Sequence, residues 1–282
     1  MKIKANAKIN IALKVVGTRE NGYHDLDMIM VPIGLYDVID IEALSDEYET
    51  NVEFDDYSIP LGPKNTINKA IELLREKHHF KEEFDVYVEK GIPSEAGLGG
   101  GSSDAAFVLK AIVDLLKLPA SEEELIEIGK KIGADVPFFI KNKPARVTGI
   151  GEYITPFELE NKPGVLLVKP FIGCSTKEVF KEFDLAKENQ DGDILKAIEA
   201  LQEGKLEQVQ KYRLNDLEKP AIKFLSDIQK IIKSLKDDGF EVVGMSGSGS
   251  TVFALSNNRA LLLEKSKYYK QKGYYVVLTS II

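Results

Sequence analysis

From Lys8 to Leu13 the chain alternates: Ile9, Ile11 and Leu13 fall on one side and Lys8, Asn10 and Ala12 on the other. A period of two marks a half-buried strand. The pattern therefore predicts a strand over residues 2–16 whose lysine and asparagine face away from the apolar stripe. Segments 26–33, 36–43 and 84–90 also read as strands, the last two with the same alternation. Between them the apolar period lengthens to that of a helix. NTINKAIELLREKHH (65–79) opens on a capping Asn or Thr, and SSDAAFVLKAIVDLLKL (102–118) opens on two serines. SEEELIEIGKKI (121–132) begins with a capping box in which Ser121 faces Glu124. His78 and His79, at the end of the first helix, read as partners of its C-terminal dipole.

The second half repeats the theme, with strands at 164–170, 241–245, 251–256 and 274–281 and helices at 176–183, 192–203, 216–237 and 258–271. Helices arrive in runs between strands, without a regular βαβ beat, so the fold class is α+β. The Pro- and Gly-bearing stretch TPFELENKPG (155–164) marks a domain boundary, giving domains 1–158 and 159–282.

Composition narrows the partners. A net charge of −8 disfavours nucleic acid and anionic membrane surfaces, but a local basic pocket still suits a small anionic substrate. Cys174, the single cysteine, has no internal disulfide partner. MKIKANAKIN carries no apolar core of signal-peptide length behind it, and no apolar run approaches a membrane span. The expectation is a cytoplasmic protein acting on a small molecule, as a monomer or weak homodimer.

The chemistry concentrates in PSEAGLGGGSSDAA (93–106). Gly97, Gly99, Gly100 and Gly101 stand directly before a predicted helix, where bare amides and the helix dipole favour an anion. Ser102 and Ser103 add hydroxyls, so a di- or triphosphate cradle is predicted. The spacing excludes two common phosphate loops: no lysine follows the glycines, and Ser102 occupies the last glycine's place in G-x-G-x-x-G. A second glycine-rich stretch, GMSGSGSTVFAL (244–255), reads either as a hairpin turn or as a further backbone surface near a ligand.

Taken together, AKINIAL (7–13), PSEAGLGGGSSDAA and MSGSGSTVFAL (245–255) resemble the GHMP small-molecule kinases. NGYHDLDMIMVPIGLYDVI (21–39), GADVPFF (133–139) and TGIGEYITP (148–156) resemble the branch acting on a cytidyl-bearing substrate of the non-mevalonate isoprenoid route. The resemblance implies an N-terminal domain like domain 2 of ribosomal protein S5, a ferredoxin-like C-terminal domain and an active site in the cleft between them. It implies ATP-dependent phosphorylation of the 2-hydroxyl of 4-diphosphocytidyl-2-C-methyl-D-erythritol, with Mg²⁺ bridging the phosphates.

By the same resemblance, ATP lies along the loop: Pro93 leads in through Ser94, Glu95 and Ala96 to Gly97, Leu98 and Gly99, and Gly100, Gly101, Ser102 and Ser103 open the helix. Ser103 is the candidate protein ligand of Mg²⁺. Asn65 resembles a nucleotide-pocket residue, and a helix cap explains it equally well. Glu95 departs from the expected small residue, so its carboxylate should turn to solvent. Asp135 would accept the proton of the substrate hydroxyl, with Lys8 beside it; otherwise the two read as a helix N-cap and a solvent-facing lysine. Tyr23 and His24 would recognise the cytosine, with Phe180 closing the other side of the base. Asn10, Thr176, Gly247, Ser248 and Gly249 complete the substrate-binding set.

Overall fold

The computed structural model describes residues 1–186 and 188–282. They gather into two compact units that alternate along the chain: Met1–Ala7, Leu35–Pro93 and Gly99–Asn142 form the first, and Lys8–Gly34, Ser94–Leu98 and Lys143–Ile282 the second. Two long strands, β1 (Lys2–Thr18) and β2 (His24–Leu44), contribute to both.

In the first unit, β2 pairs antiparallel with β4 (Glu83–Glu89), which pairs in parallel with β3 (Asn51–Phe54). Four helices follow: α1 (Thr66–His78), α2 (Gly100–Leu116), α3 (Glu122–Ile132) and α4 (Val136–Lys141). Ile39, Ile41, Phe84 and Val86 from the strands and Ile71, Leu74, Leu109 and Ile112 from the helices are fully buried. Each such side chain stabilises the fold by roughly 1.5–3 kcal/mol. Asn65 caps α1 by accepting the Ile67 N–H at 2.8 Å, and Ser121 caps α3 by accepting the Glu124 N–H at 3.2 Å. The expected capping box is half made, because the Glu124 carboxylate turns to the His78 ring and ties the end of α1 to the start of α3.

In the second unit, β2 pairs antiparallel with β5 (Ala145–Gly149), and β5 with β6 (Tyr153–Pro156). A separate sheet holds β7 (Gly164–Lys169), β8 (Val242–Met245), β9 (Val252–Ser256) and β10 (Tyr275–Ser280) in the antiparallel order β10-β7-β9-β8. Counted within this sheet the order is 4-1-3-2. α5 (Thr176–Ala186), α6 (Ile194–Gln202), α7 (Leu206–Tyr212), α8 (Glu218–Phe224) and α9 (Asp227–Asp237) lie between its first two strands in sequence. α10 (Arg259–Gln271) lies between its last two. This is the expected ferredoxin-like arrangement.

The structure corrects several expectations. The strands read at 26–33 and 36–43 are one: Pro32 and Gly34 interrupt the pattern, yet Pro32 still offers its carbonyl to the Ile282 N–H at 3.1 Å. The helix read over 216–237 is α8 and α9, broken at Leu225 and Ser226. β3, β5, β6, α4 and α7 carry no pattern of their own, since four to seven residues are too few to show a period. Finally, β1 is not half-buried at its centre. Lys8 is 4% exposed and Asn10 2%, so the polar side of the strand is covered as fully as the apolar one.

Candidate active site

A buried charge cluster sets the approach to the glycine loop. Lys90, just past β4, sends its ammonium between Asp37 of β2 and Asp104 of α2; it hydrogen-bonds Asp37 and lies 2.7 Å from Asp104 Oδ2. Asp37 Oδ1 also accepts the N–H groups of Gly91 and Ile92 at 2.7 and 2.8 Å, fixing the direction in which the chain leaves β4. One cation between two carboxylates leaves excess negative charge in a dry site, which favours protonation. Burial pushes the Asp104 carboxyl up, Lys90 pulls it back and Asp37 adds repulsion, leaving it at about 7. Burial also pulls Lys90 down, but the two carboxylates outweigh it and hold the ammonium above the ordinary lysine range.

Beyond Pro93 the loop turns through two constrained glycines. Gly97 has a φ of +73°, and a Cβ there would stand 2.1 Å from the carbonyl oxygen of Ser246, so no larger residue fits. Gly99, at φ 77°, is the N-cap of α2 and offers no side-chain cap. The helix therefore begins two residues earlier than the sequence pattern suggests, with Gly100 and Gly101 in its first turn and uncapped amides at its positive end. Ser102 is half-exposed there, whereas Ser103 is fully buried and donates its hydroxyl to the Asn6 carbonyl at 2.6 Å. Glu95 is exposed, as expected, and its carboxylate lies against Gly173 near Lys169. Burial lowers the Lys169 ammonium, with Cys174 and Glu95 countering. The amide of Asn65 is committed at both ends, to the α1 cap and to the Pro60 carbonyl at 2.9 Å, which favours the capping reading.

Lys8 donates to Asn10 Oδ1 at 2.5 Å, and its backbone N–H donates to the Leu98 carbonyl at 3.0 Å. The Asn10 N–H donates to Ser246 Oγ at 3.1 Å, and the Ser246 hydroxyl donates to the Gly97 carbonyl at 2.9 Å. A Cβ on Gly247 would stand 3.2 Å from Asn10 Oδ1 and 3.5 Å from Lys8 Nζ. The second glycine stretch is thus the turn of the β8–β9 hairpin and also a buttress, joining Lys8, Asn10 and residues 94–98 in one hydrogen-bonded cluster. The Thr251 N–H adds a bond to the Ala96 carbonyl at 3.3 Å. Asn215 secures the turn by donating to the Met245 and Gly247 carbonyls, both at 2.9 Å. Thr176, at the start of α5, meets Ser248 hydroxyl to hydroxyl at 2.8 Å.

Asp135 occupies the N-cap position of α4 and is half-buried, but its side chain caps no N–H of that helix. Gly133 runs close to α2: a Cβ on it would stand 3.5 Å from Ser102 Oγ. The GADVPFF turn and the head of α2 therefore lie together within the first unit. In the second unit, Tyr23 is 59% exposed at the tip of the β1–β2 hairpin. His24 beside it is buried and stacks on Phe180 at 4.7 Å and 23°. Its Nε2 lies 2.7 Å from Asp184 Oδ1. In the structure Phe180 thus partners the histidine.

Two family models match this chain: the GHMP kinases N terminal domain over residues 65–143 and the GHMP kinases C terminal over 197–272. The chain is 40% identical to the 4-diphosphocytidyl-2-C-methyl-D-erythritol kinase of Clostridioides difficile (strain 630), across 99% of its own length and 95% of that protein. The chain belongs to the GHMP kinases. It is 41% identical to the kinase of the same name from Clostridium beijerinckii, covering 99% of this chain and 100% of that one. A crystal structure of 4-(cytidine 5'-diphospho)-2C-methyl-D-erythritol kinase superposes with a TM-score of 0.82 at 28% identity, over 100% of this chain and 99% of that one. Methanococcus jannaschii mevalonate kinase shares the fold, with a TM-score of 0.73 at 17% identity over 100% and 98% of the two chains.

This GHMP kinase is accordingly a small-molecule kinase, and several of its positioning residues escape the sequence. Asp37 in β2, Lys90 just past β4 and Asp104 in α2 have no spacing to link them, and Asn215 lies 30 residues from Met245. Asp184 alone carries a legible signal, four residues after Phe180 on the same helix face.

Proposed function

We propose that this kinase transfers the terminal phosphoryl group of ATP to the 2-hydroxyl of 4-diphosphocytidyl-2-C-methyl-D-erythritol in the cytoplasm, with 1–158 and 159–282 as its two functional domains. The observation that carries the substrate reading is the exposed Tyr23 ring next to a His24 held rigidly by α5, an arrangement suited to reading a pyrimidine. The relatives' shared name supports it.

Phosphoryl transfer asks mainly for positioning and for stabilisation of charge on the equatorial oxygens. The amides of residues 97–103, opened by glycine and backed by the α2 dipole, suit a triphosphate. Lys8, oriented by Asn10, offsets charge on the moving group. Asp135, at the head of α4, accepts the hydroxyl proton late in the reaction. Tyr23 stacks on the base, and Thr176 with Ser248 holds the neighbouring turn. Mg²⁺ would be held mainly by nucleotide oxygens, with Ser103 in the first turn of α2 as the candidate protein ligand. When bound, the ion neutralises charge on the β- and γ-phosphates.

A coupled ADP-release assay with ATP and Mg²⁺ tests the reading. Turnover is expected with the cytidyl substrate and not with mevalonate or homoserine. Turnover with either of those alcohols and none with the cytidyl compound would overturn it.

A further inference from the structure

The α5 helix turns three side chains toward His24. Phe180 covers one face of the imidazole at 4.7 Å, Phe183 meets it edge-on at 6.2 Å and 81°, and Asp184 Oδ1 lies 2.7 Å from Nε2. The three residues follow helical spacing, so one face of one helix fixes the ring's tilt, depth and rotation together.

The Asp184 contact also dictates where the imidazole proton sits. A carboxylate only accepts hydrogen bonds, so Nε2 must carry the hydrogen and donate. In the neutral ring the other nitrogen, Nδ1, is then an acceptor. Cytosine presents an exocyclic amine, a donor, at the position where uracil presents a carbonyl oxygen. An acceptor fixed against that edge forms a bond with cytosine and faces a second lone pair in uracil.

We infer that Asp184 is a positioning residue that holds His24 as a hydrogen-bond acceptor and thereby selects a cytidine over a uridine ligand. The inference rests on the substrate reading above, in which Tyr23 and His24 receive the base. Discrimination on the order of 10²-fold is expected from one satisfied contact against one lone-pair clash.

Two measurements on the full chain test it, with CDP and UDP as probes. The first is long-range proton–nitrogen NMR at about pH 8, where an ordinary histidine is neutral. The chain has three histidines, so the His24 signals are assignable by a His24→Gln variant. Wild type should show the Nε2–H tautomer, and Asp184→Asn, whose amide can donate as well as accept, should show both. The second is calorimetric binding. Wild type should prefer CDP over UDP, and Asp184→Asn should lose most of that preference through weaker CDP binding, with ATP binding unchanged. An Nδ1–H tautomer in wild type would overturn the inference, as would an Asp184→Asn variant that keeps the wild-type CDP preference. The latter result would leave the substrate reading standing, whereas equal CDP and UDP binding by wild type would remove both.

Discussion

Replacing Lys90 with methionine removes the cation that Asp37 and Asp104 share and retains a stem of similar length. Both carboxylates stay in place, because Asp37 is also held by the Gly91 and Ile92 amides and Asp104 by its position in α2. The Lys90 side chain is 8% exposed and the two carboxylates 0% and 2%, so water does little to screen what remains. Removing one partner of such a buried set costs about 3–5 kcal/mol. For a chain of this size that lowers the melting temperature by roughly 6–20 °C. Asp104→Asn should cost far less, because it keeps the Lys90–Asp37 pair and removes the surplus charge. The two variants also differ in pH response. Asp104 binds its proton more tightly folded than unfolded, so its stabilising contribution is complete below the usual carboxylate range and lost as pH rises through about 7. Wild type should therefore lose stability over that window, and Asp104→Asn should lose less. Urea unfolding followed by circular dichroism between about pH 5 and 8 reads both effects. A Lys90→Met variant within about 1 kcal/mol of wild type, or an Asp104→Asn variant with the full wild-type slope, would refute the argument.

Three further outcomes follow from the geometry. Gly97→Ala places a Cβ 2.1 Å from the Ser246 oxygen at a φ of +73°, so KM for ATP should rise at least about tenfold, read by ADP release against ATP concentration. On the role proposed for its carboxylate, Asp135→Asn should lower kcat by about 10²–10⁴-fold with little change in either KM; single-turnover kinetics separate chemistry from product release. Asn215→Asp replaces a donor to two carbonyls by an acceptor, and should cost about 1–3 kcal/mol in urea unfolding and raise KM for the cytidyl substrate.

How much of this was legible depended on range. The helices at 66–78 and 122–132 lie within a residue or two of their predicted limits, because cap and apolar period are both local. The ferredoxin-like half was implied by the family resemblance, whereas its strand and helix order alone reads only as α+β. The burial of Lys8 and Asn10 was not: alternation shows which residues share a side, and only the turn around Ser246, 236 residues on from Asn10, shows that the polar side is covered. The same limit hid the second role of GMSGSGST. Its glycines announce a tight turn, but the closeness of Gly97 to Ser246 is a tertiary fact. Glu95 is exposed, but its side chain packs against Gly173, and that contact is a tertiary fact that charge alone does not show.

The central claim, phosphoryl transfer to one particular hydroxyl, is tested most directly by the position of phosphate in the product. Wild-type enzyme would be incubated with ATP, Mg²⁺ and 4-diphosphocytidyl-2-C-methyl-D-erythritol, and the product examined by phosphorus–carbon coupling in NMR. The account predicts a new phosphomonoester coupled to the quaternary carbon that bears the methyl group. A phosphate on any other hydroxyl, or ATP consumed with the cytidyl compound unchanged, would contradict it.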